Sequence, residues 1–329
     1  MKSEGDQYLL RRIATSLLTG ILAMALSIAA PAARSENYQV TPQQADAARD
    51  QVNKVGRRGF LFEATRGQQR LFVYGGAVLG KEDLFPFNPP LLSALILTQR
   101  LLLDRDTSNS TALAERAIAI GTLPNGERVG RYLPAPLMQA AGETLTAYGL
   151  QPLAMSRYKP WLIALALSDA VTARSGLHPG RATVLFLQSY AAASNLPIVA
   201  LESPTLEYEE LNALPMAIQN DYLAQVIDDT RSGRALERME LHTRAWALGD
   251  NSLLAHYWAL SRGANGPNAQ FFLTDFQIAR VDKLADALIR DLSNPGVPLL
   301  VVPAHYLYGD SGLLHVLNLR GFTLRDLQP

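Results

Sequence analysis

Three polar side chains stand where the sequence predicts that strands end. Asp104 ends the run RLLLD, Glu202 ends the run PIVALE, and His305 follows the run VPLLVVPA. Imidazole and carboxylate groups hold divalent metals, and a carboxylate can also take a proton from water. Rigid strand ends suit such groups, because they fix the geometry that the chemistry needs. These residue types are therefore the ones that metal-assisted hydrolysis would use, provided that the fold brings them together.

The other four histidines do not complete a metal site by their spacing. His178 lies in a glycine-containing turn, where we expect it in solvent, and His242 and His256 lie on predicted helices without ligand spacing. His315 lies on a later predicted helix. The chain contains no His-Glu-x-x-His, nucleophile elbow or phosphate loop, and no cysteine, which excludes thiolate ligands and disulfides. A lone histidine makes a weak metal site, so His305 is more simply explained as a hydrogen-bonded residue at a strand end.

Two segments far apart in the chain share one layout. Residues 71–87 (LFVYGGAVLGKEDLFPF) and residues 297–314 (VPLLVVPAHYLYGDSGLL) each run from an apolar stretch, typical of a strand, into a glycine-containing turn. They resemble the two signature segments of the TraB/GumN family, the bacterial relatives of the Tiki metalloproteases. The resemblance implies a Gly-x-x-His-type motif in each segment, with the two histidines holding a divalent metal.

The motif positions of this chain differ from that pattern. The first motif contains Gly75 and Val78, so valine stands at the first histidine position. The second has Tyr306 at its histidine position, one residue after His305, with Gly309 beyond it. Valine offers no lone pair, and a tyrosine phenol must lose a proton with a pKa of about 10 before it binds a metal well. The resemblance therefore implies a metal site whose usual ligands have been replaced.

Further landmarks extend the resemblance over most of the chain and assign the remaining site residues. They include Lys-Pro-Trp at 159–161, Trp-x-x-Gly-Asp at 246–250 and glycines 312 and 321. Arg280 matches the family's arginine, whereas Val281 replaces the asparagine that follows it. The resemblance gives Asp104, Glu202 and Arg280 catalytic positions, and Glu202 with His305 would be the metal ligands. An alternative for Glu202 is an ion pair with Arg280 or a cap on the next helix.

Residues 1–35 are predicted to be a secretory signal peptide. Arg11 and Arg12 precede the apolar run 13–29, and small residues after it offer a cleavage site. The alternative is an uncleaved membrane anchor, because the apolar run is nearly long enough to span a bilayer. Residues 36–329 would then form one TraB/GumN-like domain, located in the periplasm or secreted.

Composition narrows the classes of partner. The 30 Lys and Arg residues balance the 30 Asp and Glu residues, so the charge gives no case for nucleic acid or an anionic membrane surface. A hydrophobic fraction of 48% predicts a folded globular protein. The resemblance and the predicted export imply a peptide, a glycan or an envelope protein as the partner, with the membrane contacted only through an uncleaved leader.

The order of predicted elements places strands at both ends of the chain around a helical middle. A hairpin at 59–74, a helix at 89–99 and a strand at 100–104 open the domain, and a strand at 297–302 helps to close it. The middle is mainly helical and includes one long helix at 207–229. This order predicts an α/β (α+β) fold, with sheet strands from the N- and C-terminal parts packed against the helices. The resemblance adds two related halves that meet at a central cleft.

Three functions fit these observations. The first is a divergent member of the family that has lost its metal and binds a peptide, a glycan or an envelope protein in the old cleft. The second is an active metal-dependent peptidase or hydrolase with a rearranged site of Asp104, Glu202 and His305. The third is a structural or assembly factor of the envelope. Val78, Tyr306 and Val281 favour the first, because three positions of one predicted site have lost the residue that the family has there. We therefore expect no cofactor, or a divalent metal (Mn, Co or Zn) if the site is active.

Overall fold

The structure is a computed structural model that describes residues 59–80, 89–179, 182–262 and 276–328. The predicted signal peptide lies outside these ranges. Among the helices within them, none is both long and apolar enough to cross a bilayer.

The described strands form one mixed sheet of six. They are β1 (Phe60–Arg66), β2 (Gln69–Gly76), β3 (Arg100–Arg105), β4 (Ile198–Glu202), β5 (Pro298–Pro303) and β6 (Thr323–Asp326). The order across the sheet is β4-β3-β5-β2-β1-β6. The strands β4, β3, β5 and β2 run parallel to one another, while β1 is antiparallel to both β2 and β6. The carboxyl ends of four neighbouring strands therefore meet at one end of the sheet.

The two central parallel strands owe their position to continuous apolar runs. β3 contains three consecutive leucines, and β5 has the sequence PLLVVP, with the interior of each strand buried on both faces. A strand that is apolar on both faces is stable only between two covering layers, which is why it occupies the middle of a parallel sheet. The first two strands form the predicted hairpin, whose tight turn uses Gly67 at a positive φ of 58°.

Twelve helices surround this sheet or pack beside it in the described ranges. They are α1 (Pro89–Leu97), α2 (Ser110–Gly121), α3 (Ala135–Ala147), α4 (Pro152–Met155), α5 (Pro160–Arg174), α6 (Thr183–Ala193), α7 (Leu206–Ala213), α8 (Met216–Arg231), α9 (Arg234–Leu248), α10 (Asn251–Arg262), α11 (Phe276–Asp291) and α12 (Leu313–Leu319). A single long helix at 207–229 was the wrong expectation. Leu214 takes an extended backbone before Pro215, because proline disfavours the helical conformation of the preceding residue. The segment therefore divides into α7 and α8.

Two apolar clusters hold the layers together. One is built on the sheet and includes Trp246 of α9, whose indole Nε1 donates a hydrogen bond to the Tyr74 hydroxyl of β2 over 3.2 Å. The other lies within the helical middle around α5, where Trp161 is fully buried. Both tryptophans are core residues, as their apolar helical contexts predict.

The mixed α/β fold expected from the sequence is confirmed. Strands from the start and the end of the described chain join in one continuous sheet, with β5 inserted between β2 and β3. The helical middle enters between β3 and β5 in sequence and contributes the edge strand β4. This arrangement places the two signature segments side by side.

Candidate functional site

The two signature segments leave adjacent parallel strands at the same end of the sheet. In the β2–β5 register, Gly75 lies opposite Val302 and Gly76 lies opposite Pro303. Beyond these residues the first segment continues to Val78, and the second enters a short 3₁₀ turn, Ala304–Tyr306. The sequence prediction that distant parts of the chain converge here agrees with this register.

Gly75 is needed for that convergence. A Cβ atom at this position would lie 2.5 Å from Leu307 Cδ1 and 3.1 Å from the backbone Cα of Ala304. Both distances are shorter than ordinary van der Waals contact, and Leu307 is fully buried and unable to move into solvent. The glycine therefore allows β2 to approach the turn that follows β5.

A network of arginines and carboxylates occupies the strand ends. Arg280, from α11, places its Nη2 3.4 Å from Glu202 Oε2 and its Nη1 3.3 Å from Glu207 Oε2. Arg105 also pairs with Glu207, and its Nε lies 3.7 Å from Asp104 Oδ2. The three predicted residues Asp104, Glu202 and Arg280 thus belong to one cluster. The sequence did not reveal the other two members, Arg105 and Glu207.

The pKa values of the three carboxyl groups in the network are shifted in different directions. Burial raises the pKa of Glu207, but the guanidinium groups of Arg105 and Arg280 outweigh burial and hold that pKa at about 2. For Asp104, burial dominates over Arg105 and raises the pKa. Burial likewise raises the pKa of Glu202, against the attraction of Arg280. Glu207 is therefore the firmly ionised anion between two arginines.

Tyr306 lies in the field of the same charges. Burial raises the pKa of its phenol to about 12, although Arg280 and Arg105 act in the opposite direction. At neutral pH the hydroxyl is protonated and is a poor metal ligand. The tyrosine thus places a neutral, bulky side chain beside the cluster, where a metal-binding imidazole is expected from the resemblance.

The donor set at the strand ends does not fit a divalent metal. Val78 has no lone pair, Tyr306 is neutral, and the carboxylates of Glu202 and Glu207 face guanidinium groups. Arg280 already pairs with both of these carboxylates and Arg105 pairs with Glu207, so a cation would have to displace a guanidinium from its ion pair. Across the four described ranges, no three or more His, Cys, Asp or Glu side chains are grouped so as to hold a metal ion.

Besides its neighbour Tyr306, with ring centroids 4.9 Å apart, His305 contacts rings of two helices. Its centroid lies 5.1 Å from that of His242 on α9, 5.4 Å from Tyr257 and 5.9 Å from Trp258 on α10. Burial, together with the charges of His242 and Arg105, lowers the pKa of His305 well below its usual value. Burial alone lowers the pKa of His242 to about 4. Both imidazoles are therefore neutral at pH 7.

The pairing of His242 with His305 was not visible in the sequence. The two residues are on a helix and on the turn after β5, and only the packing of α9 against that turn brings the rings together. His178 is exposed, as expected for its turn, and His256 and His315 are exposed on the helices where the sequence placed them. The prediction that His305 and Glu202 share a metal stays a prediction, and their observed ring and ion-pair contacts are with different groups.

Two cavities flank Val78. The first, here called the strand-end cavity, has a volume of about 230 Å³ and lies at the ends of β2, β3 and β5, against α6. The second, here called the histidine cavity, has a volume of about 170 Å³ and is lined by both His242 and His305. Asp104 and Arg105 form the charged part of the first cavity, and Arg238 and Asp229 are the charged groups of the second.

Comparison with protein families gives one result that covers most of the chain. The family model described as the TraB/PrgY/gumN family matches residues 60–326. Comparisons with curated proteins and with solved structures gave no match. The matched range begins at β1 and ends with β6, so it includes the whole sheet and both signature segments.

Proposed function

The chain belongs to the TraB/PrgY/gumN family, and we propose that it is an exported, non-catalytic member that binds a peptide through the strand-end cavity. The arginine–carboxylate network at the strand ends is the observation that carries this proposal. A working hydrolytic site of this kind needs open metal ligands and a carboxylate that is free to act as a base. In this chain Arg105 and Arg280 both engage Glu207, and Arg280 also engages Oε2 of Glu202, whose Oε1 has no partner within the described residues. The two motif positions, Val78 and Tyr306, supply no metal ligand.

The chemistry of the strand-end cavity favours a peptide with an apolar side chain. Most of its wall is aliphatic, contributed by Val184, Leu185, Val301 and neighbouring residues. Such a wall suits a branched aliphatic side chain, because burial of apolar area is the main favourable term. A glycan would need a wall richer in hydrogen-bonding groups for its hydroxyls. At the charged part of the cavity, Arg105 and Asp104 are positioned to meet the polar backbone of the peptide.

The export part of the proposal comes from the first 35 residues. Their charged start, apolar run and small-residue end have the layout of a cleavable leader. Export would place the cavity in the envelope or outside the cell, where extended peptides and unfolded segments are available as ligands.

The proposal is tested with the exported protein, recovered after expression from its full gene, and a random nonapeptide library. We expect enrichment of peptides that carry a branched aliphatic residue, and we expect them to remain uncut when Mn²⁺, Co²⁺ or Zn²⁺ is added. Val184→Phe fills the cavity and should weaken binding about tenfold or more, whereas Val184→Ala, which leaves the cavity open, should change it far less. Circular dichroism and thermal unfolding verify that both variants fold.

Results of the library experiment that differ from this expectation would support one of the other functions or reject the peptide cavity. Cleavage of the enriched peptides upon metal addition would identify an active hydrolase with a rearranged site. A library without any enrichment would point to an envelope assembly factor and would reject the peptide cavity. Equal binding by the two Val184 variants would also reject it. Mass spectrometry of the exported protein would show an intact leader if the segment is an anchor.

A further inference from the structure

The histidine cavity contains buried polar atoms that lack partners. Both ring nitrogens of His242, the Nδ1 atom of His305 and the Nη1 atom of Arg238 have no hydrogen-bond partner within the described residues. The His242 side chain is also deeply buried, with the residue only 3% exposed. Buried polar groups in folded proteins are nearly always hydrogen-bonded, because losing water without a replacement is unfavourable. Several such atoms at one cavity indicate that something else completes their hydrogen bonds.

The charges around the cavity show what kind of group is missing. The Asp229 carboxylate accepts hydrogen bonds from Arg238 Nη2 over 2.6 Å, Arg234 Nε over 2.9 Å and Gln225 Nε2 over 2.9 Å. Its acceptor capacity is therefore largely used within the protein. The guanidinium Nη1 of Arg238 can only donate, and a neutral imidazole offers one N–H donor. Arg238 Nη1 and one nitrogen of His242 therefore need an acceptor, whereas the other nitrogen of His242 needs a donor. The guanidinium is matched best by an anionic acceptor.

The rest of the wall sets the size and character of the ligand. Val78, Val226 and Met239 give the cavity an apolar side in addition to its polar groups. Its volume of about 170 Å³ is comparable to that of a cavity that holds one benzene ring. A metal ion is a poor match, because a histidine pair beside a positively charged guanidinium lacks a third ligand. A phosphate would leave the apolar side without a partner.

We propose that the histidine cavity binds a small organic carboxylate, with Arg238, His242 and His305 around the carboxylate and the apolar wall around its hydrocarbon part. A carboxylate matches a guanidinium donor better than a neutral acceptor does, because charge-assisted hydrogen bonds are shorter and stronger. The proposal does not depend on peptide binding in the strand-end cavity, which shares only Val78 with the lining of the histidine cavity.

Calorimetry of the full-length purified protein with acetate, butyrate and benzoate tests this proposal. We expect one equivalent of butyrate or benzoate to bind, and the neutral isostere benzamide to bind at least about tenfold more weakly. His242→Phe should weaken carboxylate binding by about tenfold or more while leaving the free protein as stable as the wild type or more so, since it removes unpartnered nitrogens. His256→Phe, at an exposed histidine of the neighbouring helix, is the matched control and should bind like the wild type.

A second variant distinguishes loss of the carboxylate-binding group from loss of binding through misfolding. Arg238→Lys keeps a positive charge beside Asp229 but removes the planar guanidinium. It should reduce the affinity for carboxylates more than the affinity for benzamide. The proposal is overturned if no carboxylate of the panel binds, if benzamide binds as tightly as benzoate, or if His242→Phe leaves the affinity unchanged. Stoichiometric Zn²⁺ binding that requires His242 would overturn it in favour of a metal site. Peptide binding and its loss in Val184→Phe should be the same in all these variants.

Discussion

Replacing Arg280 by methionine is expected to lower the free energy of unfolding by about 3–5 kcal/mol. The Arg280 side chain is only 4% exposed and faces both Glu202 and Glu207. Methionine fills a similar volume without charge, so Glu202, whose side chain is 7% exposed, would lose its ion-pair partner. An unpaired buried carboxylate is costly, because neither water nor a cation compensates its charge. Urea unfolding at pH 7 measures the loss.

Lys283→Met is the matched control for this prediction. Lys283 lies on the same helix, α11, and its Nζ pairs with Glu210 Oε1 over 2.7 Å, but its side chain is 58% exposed. Solvent screens such a pair, so the expected loss is about 1 kcal/mol or less. Adding Glu202→Gln to Arg280→Met should restore part of the stability, because the unpaired charge is removed. If Arg280→Met and Lys283→Met have equal effects, the network at the strand ends does not hold these carboxylates.

Gly75→Ala is expected to destabilise the protein by about 1–3 kcal/mol through overpacking. The added Cβ would lie 2.5 Å from Leu307 Cδ1 and 3.1 Å from Ala304 Cα. The second of these atoms belongs to the backbone, so relief requires the turn after β5 to move away from β2. Thermal unfolding of the purified variant measures the effect.

Gly142→Ala is the control for the glycine prediction. Gly142 lies on α3, and a Cβ there would meet nothing within 4 Å. Alanine favours the helix, so this variant should be as stable as the wild type or up to about 1 kcal/mol more stable. Equal stability of Gly75→Ala and the wild type would mean that the two signature segments do not approach each other as closely as described.

The elements that could be predicted from the sequence are those that local pattern determines. The leucines of β3 and the PLLVVP run of β5 are apolar enough to require buried strands. The hairpin is predictable because Gly67 marks its turn. The order of motifs then suffices to place Asp104 and Glu202 at strand ends. The Glu202–Arg280 ion pair was one of the two alternatives, and the structure contains it.

The contacts that could not be predicted depend on tertiary packing. Arg105 looks like an ordinary polar strand end until α7 brings Glu207 against it from about a hundred residues later in the chain. His242 has no ligand spacing to any other histidine, and the sequence cannot show which helix covers the turn after β5. Arg105 helps to keep Glu207 ionised and His242 lines the histidine cavity, yet neither residue belongs to a motif.

Titration of the chelator-treated protein with Co²⁺, followed by calorimetry and visible absorption, tests most directly whether arginines have taken the place of the metal at the strand ends. We predict no stoichiometric binding at this location, and identical traces for the wild type, Glu202→Gln and Asp104→Asn. One equivalent of Co²⁺ bound by the wild type, and lost in either variant, would contradict the account.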